Sequence, residues 1–412
     1  MERIALDRTN GGYKQVQGNL LPMPSRMVHI IDSIKHPAEH ELLIDVYGDA
    51  LWLIGVFAPE DIRKERLLAK GVEDANIQAI FNVDEEEGVN HGQKVRETIE
   101  KSDFFVRNDG LNTEKLKGVL RRYMSLLFGI EVNTPTRDEA AMYTAVSAAA
   151  SSACLSRQVG AAIYSEAGEL IGKGSNDVPK KGGGLYCYED QDNDHRCYKY
   201  GGHICHNDDR KKRLFQSIIT SLVNDHFLAK TVEFDKVVRT LKRTGIKNLI
   251  EYSRAVHAEM EAIISVARAG KGGIVGSTLY CTTFPCHSCA RHIVASGVKK
   301  VVYIEPYPKS LATTLHKDSI STRDSEGEGH VLFLQYEGVA PKNIIKLFQQ
   351  HGERKADGRA IERPRETATP LHRSPLDGFS TREQIIVHGL RQAEEKAKIK
   401  TGGSNGEQKA KR

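Results

Sequence analysis

One tryptophan and no apolar run long enough to cross a bilayer occur in these 412 residues. The opening MERIALDRTNGG alternates charged and apolar positions, unlike the core of a secretion signal. The expectation is a soluble, cytoplasmic protein with no membrane contact. The seven cysteines are odd in number and scattered, which argues against a disulfide framework and for reduced thiols or metal ligands. No G-x-x-x-x-G-K-[ST] run exists to wrap backbone amides around phosphates, and the GKGS at Gly172 has its residues out of order. An excess of one charge sign is scarce too. The formal net charge is +5, and residues 352–412, with fourteen Lys or Arg against nine Asp or Glu, hold all of it. That basic end reads as a mostly disordered, solvated tail with one helix in STREQIIVHGLRQAEEKAKIK, or as a surface touching nucleic acid.

Two or three domains suit this length, and hydrophobic periodicity divides the chain accordingly. Met27–Ser33 (MVHIIDS) and Asp49–Pro59 (DALWLIGVFAP) read as strands, with helical spacing between them in PAEHELLIDVYG. Strand, helix and strand in that order predict a parallel sheet with crossover helices. A helix in APEDIRKERLLAKG, an acidic stretch at Asp84–Glu87, a strand in SDFFVRNDG and a helix in LNTEKLKGVLRRYMSLLFG complete a first α/β domain over 1–130. A second α/β domain is expected over 134–350. It begins with a long alanine-rich helix behind Thr136 and Asp138, followed by the strands VGAAIYS and GELIGKGSN joined by a turn at Glu166–Gly168. After a polar insertion, 177–212, come helices, the strand STLYCTTF, a helix, and the strands KKVVYIE and HVLFLQY.

Chemistry concentrates in two segments of this second domain. In TTFPCHSCARHIV, Cys286 and Cys289 stand one helical turn apart, so both sulfurs can face one point. A helix N-terminus there favours thiolate over thiol. Alone, such a pair serves redox exchange and structural clips equally well. In SRAVHAEMEAIISVARAG, an amphipathic helix opens with His257 and Glu259. One neutral imidazole and two thiolates give Zn²⁺ three ligands and no residual charge, with a fourth position for water. Glu259 then serves as general acid/base. Its spacing of two from His257 does not share a face in mid-helix, so an irregular first turn is required.

His-x-Glu followed by Pro-Cys-x-x-Cys is the signature of the zinc-dependent nucleobase deaminases, and over Thr134–Glu337 the sequence resembles the cytidine/deoxycytidylate deaminase superfamily. The resemblance implies a cytidine-deaminase-like α/β/α sandwich with zinc between two helices. It also implies hydrolytic attack at C4 of cytosine by a zinc-activated water, with Glu259 carrying protons to N3 and to the departing amine. Asn176, closing GKGSN, matches the asparagine such enzymes place on the sugar, and equally suits a turn. Tyr307, Lys309 and Ser310 in EPYPKSLA point toward phosphate or base, or belong to a solvated loop.

The insertion carries Cys187, His195, Cys197, His203, Cys205 and His206. Cys187, Cys197, His203 and Cys205 read as ligands of a second, structural zinc, or as reduced loop thiols. Arg210, Lys211, Lys212 and Arg213 suit nucleotide phosphates or a solvated face. In the first domain, VHIIDSIKHPAEHELLIDVYGDALWLIGVFAPEDIRKERL resembles the later half of a P-loop nucleoside-monophosphate kinase, here without a phosphate-binding loop. That combination resembles the bacterial antiphage (d)CTP deaminases. The resemblance implies deamination of dCTP or dCMP in defence, in a homo-oligomer restrained by an inhibitory RNA. The alternatives are deamination of cytosine or adenine within RNA or DNA, and a zinc-holding sensor without turnover. Few aromatic side chains are interleaved with Lys and Arg in the catalytic region, which disfavours a single-strand platform.

Overall fold

A computed structural model of the chain describes residues 28–85, 93–110, 113–229, 233–244, 252–270, 272–307, 309–324, 329–361, 363–371 and 377–407, the short paired strands Tyr13–Val16 and Asn19–Pro22, and a few isolated positions. Met27, at the start of the first expected strand, and Glu86 and Glu87 of the acidic stretch lie outside the described residues.

The architecture is mixed α/β. Six strands form one sheet in the order Leu170–Ser175, Gly160–Tyr164, Thr278–Thr283, Lys300–Glu305, Val331–Gln335, Ile320–Ser321. The first two pairings are antiparallel and the other three parallel. Alternation along the strands sends their side chains to opposite faces. Ala161, Ile163, Leu279, Cys281, Val301, Tyr303 and Phe333 pack one face against Ala258, Ala262 and Val266 of the helix Ala258–Arg268 and Ala290 and Ile293 of the helix His287–Ala295. Ala162, Tyr280, Val302 and Ile304 pack the other face against Ala141, Met142 and Ala145 of the helix Arg137–Ala149. Leu279, Ile293, Val301 and Phe333 are all fully buried, each stabilising the fold by ~1.5–3 kcal/mol. Thr136 caps its helix as its position suggests, in a capping box with Glu139.

The first domain supplies two parallel strands, Ile54–Phe57 and Phe104–Arg107. The third member of their sheet comes from far along the chain: Gly338–Val339 pairs antiparallel with Phe104–Arg107. Helices run at Pro37–Tyr47, Glu60–Ala69 and Thr113–Phe128, where periodicity places them, and another lies at Asp74–Glu85. The strand expected at Met27–Ser33 needs correction, because Val28–Ser33 form no strand. Val28 is 79% and Ile30 90% exposed; an apolar run becomes a strand only with a neighbour to pair and a face to bury. At the other end, the tail folds back on this domain. The amide of Leu371 donates to the Leu127 carbonyl at 2.9 Å, and in the helix Asp377–Glu407 the buried Glu383 accepts the Tyr47 hydroxyl at 2.8 Å.

The glycines of GKGS are explained by packing rather than phosphates. Gly172 and Gly174 share one face of Leu170–Ser175, and a Cβ on Gly174 would lie 2.5 Å from both the Ala258 carbonyl oxygen and the Ala262 nitrogen. The strand therefore lies directly on the first turns of the helix that begins after His257. Gly174→Ala is expected to destabilise the protein by roughly 1–3 kcal/mol, as overpacking does, by displacing that turn. A thermal melt beside wild type checks it.

Candidate metal centre

His257 is the N-cap of the helix Ala258–Arg268, with extended backbone angles of φ −74° and ψ 151°. This supplies the irregular first turn that the His-x-Glu spacing requires. The imidazole precedes the helix, and Glu259 follows as its second residue. Cys286 is likewise an extended N-cap, of the helix His287–Ala295, with Cys289 one turn in and Pro285 just outside the helix. Neither side chain makes the usual N-cap bond to its helix, which leaves both available to the ligand set.

The three side chains converge. His257 Nδ1 lies 3.4 Å from Cys286 Sγ and 3.3 Å from Cys289 Sγ. A tetrahedral zinc with N at ~2.0 Å and S at ~2.3 Å sets N and S about 3.5 Å apart, so the residues present fit the ion. Among the described residues, no other group of three His, Cys, Asp or Glu holds its ligand atoms within 4.8 Å of one another. Cys286 is 5% and Cys289 1% exposed.

Charge within the set is shared. The Cys289 hydrogen bond, assisted by His257, holds the Cys286 thiol down to about 4, against the opposing effect of burial. Cys289 keeps its proton and is pushed up, first by that same bond and then by burial. The bond to Cys286 raises His257 to about 9 although burial lowers it. Imidazolium, thiolate and thiol thus balance one another, and a metal must expel two protons to enter. Zinc affinity is expected to climb as pH rises toward about 9, where His257 titrates. Competition against a chromogenic chelator at several pH values tests this, and a flat profile would contradict it.

Glu259 is 4% exposed. Burial raises its carboxyl, the His257 charge opposes that rise, and the Cys289 side chain hydrogen-bonds to it. A carboxyl held this way, beside the ligands, is suited to passing a proton.

The remaining expected site residues are placed as follows. Asn176 spends its amide within the fold: Oδ1 accepts from the Val159 amide at 2.7 Å and Nδ2 donates to the Arg157 carbonyl at 2.8 Å. The next residue, Asp177, pairs with Val256 immediately before His257. Tyr307 packs against the sheet core beside the site; burial and then Cys286 raise its phenol, while Arg157 lowers it. Ser310 Oγ donates to the Pro285 carbonyl at 2.8 Å, tying this loop to the cysteine turn. Lys309 is exposed. Lys211 and Arg213 pair with Asp208 at 3.3 Å and Asp209 at 2.8 Å on the helix His206–Asn224.

Of the insertion set, Cys197 and Cys205 line one cavity, which Cys187 and His203 do not. Cys187 is exposed and donates to Asp190 at 3.3 Å. Arg157 was not singled out by motif. It reaches Glu305 at 2.6 Å, and Glu305 also accepts from Thr283 at 3.0 Å. A pairing across 148 positions leaves no local signal.

Residues 135–305 match the family model of the cytidine and deoxycytidylate deaminase zinc-binding region. The chain is 49% identical to the deoxycytidylate deaminase of Enterobacteria phage T2 over 55 residues, 13% of this chain and 29% of the phage protein. It is 34% identical to the deoxycytidylate deaminase of Mus musculus over 75 residues, 18% of this chain and 40% of that one. The matches thus span well under half the length of these curated relatives. The dCMP deaminase of cyanophage S-TIM5, solved with dCMP and dUMP, aligns with a TM-score of 0.28 at 20% identity, covering 50% of this chain and 99% of that one. The family match and the two deoxycytidylate deaminase relatives are in keeping with the resemblance carried by His257, Glu259, Cys286 and Cys289.

Proposed function

We propose that the chain hydrolyses the exocyclic amine of deoxycytidine nucleotides, dCMP or dCTP, to give the uracil nucleotide and ammonia. The observation that carries this reading is the spacing of His257 Nδ1 from two sulfurs, 3.4 and 3.3 Å, beside a buried carboxyl. Zinc bound there would lower the pKa of a water to about 7 and so supply hydroxide near neutrality. His257, Cys286 and Cys289 would hold the ion. Glu259 takes one proton from the attacking water and delivers it to N3 of the cytosine, then takes the second from the hydroxyl formed at C4 and passes it to the amine, so that ammonia leaves and a carbonyl remains. Burial keeps the Glu259 carboxyl raised, which makes proton return to the amine easier than from an exposed carboxylate. Tyr307 packs beside Cys286, and Asn176 ties the end of the strand Leu170–Ser175 to Val159 and Arg157.

The finer reading extends this activity to depletion of the deoxycytidine nucleotide pool in antiphage defence. It places the protein in the cytoplasm as a homo-oligomer restrained by RNA, with the first domain as a regulatory scaffold. Its support is the resemblance of that domain to part of a nucleoside-monophosphate kinase. No described helix is long and apolar enough to cross a membrane. One panel tests the whole: cytidine, dCMP, dCTP, CTP and cytosine-containing oligonucleotides, scored for uracil products. Turnover of the deoxynucleotides is expected; turnover of oligonucleotides alone would replace this reading with nucleic-acid editing.

A further inference from the structure

A metal-binding histidine ordinarily has its second ring nitrogen held by a carboxylate, a carbonyl or a water, which fixes the ring. At His257 the protein supplies no such partner. Its Nδ1 faces Cys286 Sγ and Cys289 Sγ, and among the described residues no hydrogen bond reaches Nε2. Standing at the N-cap without a cap bond, the imidazole takes its direction from the backbone that delivers it.

That backbone is tied down one residue earlier. The Val256 amide donates to the Asp177 carbonyl at 2.9 Å in an isolated antiparallel bridge. Asp177 is buried, and its side chain spends both oxygens: Oδ2 accepts the Ala153 amide and Oδ1 the Val178 amide, each at 2.8 Å. Burial raises the Asp177 carboxyl, and those two amides and then Arg196 oppose the rise. The Arg196 guanidinium stands 3.7 Å from Asp177 Oδ2. It comes from the polar insertion and is itself aimed. Arg196 Nε donates to Asp194 Oδ1 at 2.9 Å and Nη2 to Asp194 Oδ2 at 2.7 Å, and the Tyr198 hydroxyl donates to the same Oδ2 at 2.9 Å. Asp194 and Arg196 are both buried, so this fork has a fixed geometry that is costly to break.

We propose that Asp177, locked by Arg196 of the polar insertion, is a positioning residue for His257: through the Val256 bridge it aims the imidazole at the two sulfurs and so sets the affinity and geometry of the metal set. A buried ion pair adds little net stability over apolar packing, and here its use lies in fixing a direction. The insertion is thereby part of the support of the metal centre. This assignment rests on His257, Cys286 and Cys289 as metal ligands and not on the reaction they serve.

Cobalt(II) loading of the full chain tests it, because thiolate-to-cobalt charge-transfer and ligand-field bands report the arrangement of the ligands without turnover. Asp177→Asn keeps an acceptor oxygen for Ala153 and withdraws the charge that faces Arg196. In this variant the cobalt bands are expected to shift, and zinc affinity, read by chelator competition at one pH, to fall about 10–100-fold, the usual effect of losing a ligand's support. Arg196→Lys gives up the fork and keeps the charge; it should move both readings in the same direction by less, and it carries the test if the first variant does not fold. Melting temperatures taken beside these readings separate the two roles. A lower melting temperature with wild-type bands and wild-type zinc affinity makes the network structural only and overturns the proposal. Wild-type protein without a thiolate–cobalt band would overturn it together with the metal set itself, a failure that the variants cannot mimic.

Discussion

Glu259→Gln protein is expected to lose turnover by roughly 10²–10⁴-fold, the usual share of a positioned acid/base, while keeping its zinc. The substitution preserves side-chain volume at a position 4% exposed, so packing beneath the ligands should survive. It removes the one group there able to accept a proton from water and return it to the leaving amine. The His257 and cysteine ligands are untouched, so elemental analysis should read as wild type. That combination separates loss of proton transfer from loss of the metal. Activity within a few fold of wild type would mean that another group carries the protons, and the mechanism would fail. A matching loss of zinc would instead move Glu259 from chemistry to site assembly.

The site was legible because its chemistry is local. His257 and Glu259 lie two residues apart, Cys286 and Cys289 three, and each pair marks a helix start that residue type and periodicity reveal. Five strands of the six-stranded sheet were readable for the same reason, since each carries its own apolar pattern; the sixth, Ile320–Ser321, is too short to carry one. What escaped depends on distant partners. Gly338–Val339 joins Phe104–Arg107 only because the chain returns there, and a two-residue strand has no periodicity. Arg157 and Glu305 meet only in the folded chain, 148 positions apart, and Cys154 lines the cavity of Cys197 and Cys205 from outside the cysteine-rich insertion. The error at Val28–Ser33 has the converse cause: an apolar run was present, and no strand lay beside it.

The helices Thr113–Phe128 and Arg137–Ala149 and the strand Gly338–Val339 meet at one carboxylate, that of Glu139, and removing it should cost about 3 kcal/mol or more. Glu139 is fully buried, and both its oxygens are used twice. Oε1 accepts from Arg122 at 2.8 Å and from the Val339 amide at 2.9 Å, and Oε2 accepts from Arg122 at 2.7 Å and from the Thr136 amide at 2.7 Å. One side chain thus caps the first helix of the deaminase-like domain, pairs with the last helix of the preceding one, and holds the borrowed strand. Glu139→Ala leaves the buried Val339 N–H without its acceptor and the guanidinium with only the Thr134 carbonyl, at 3.0 Å. Arg122 remains 25% exposed and can draw on water, which puts the cost at the lower end of the ~3–5 kcal/mol range for a broken buried pair. Glu139→Gln keeps one acceptor oxygen and should cost less. Urea unfolding of the three proteins gives the difference directly, and limited proteolysis should open the 338–339 segment in the alanine variant first. If that variant unfolds within about 0.5 kcal/mol of wild type, the ordinary scatter for a surface change, these segments are held by their other contacts: the pairing of Gly338–Val339 with Phe104–Phe105, the bond from Asn343 to Asp103 and the packing of Phe105, Tyr336 and Val339.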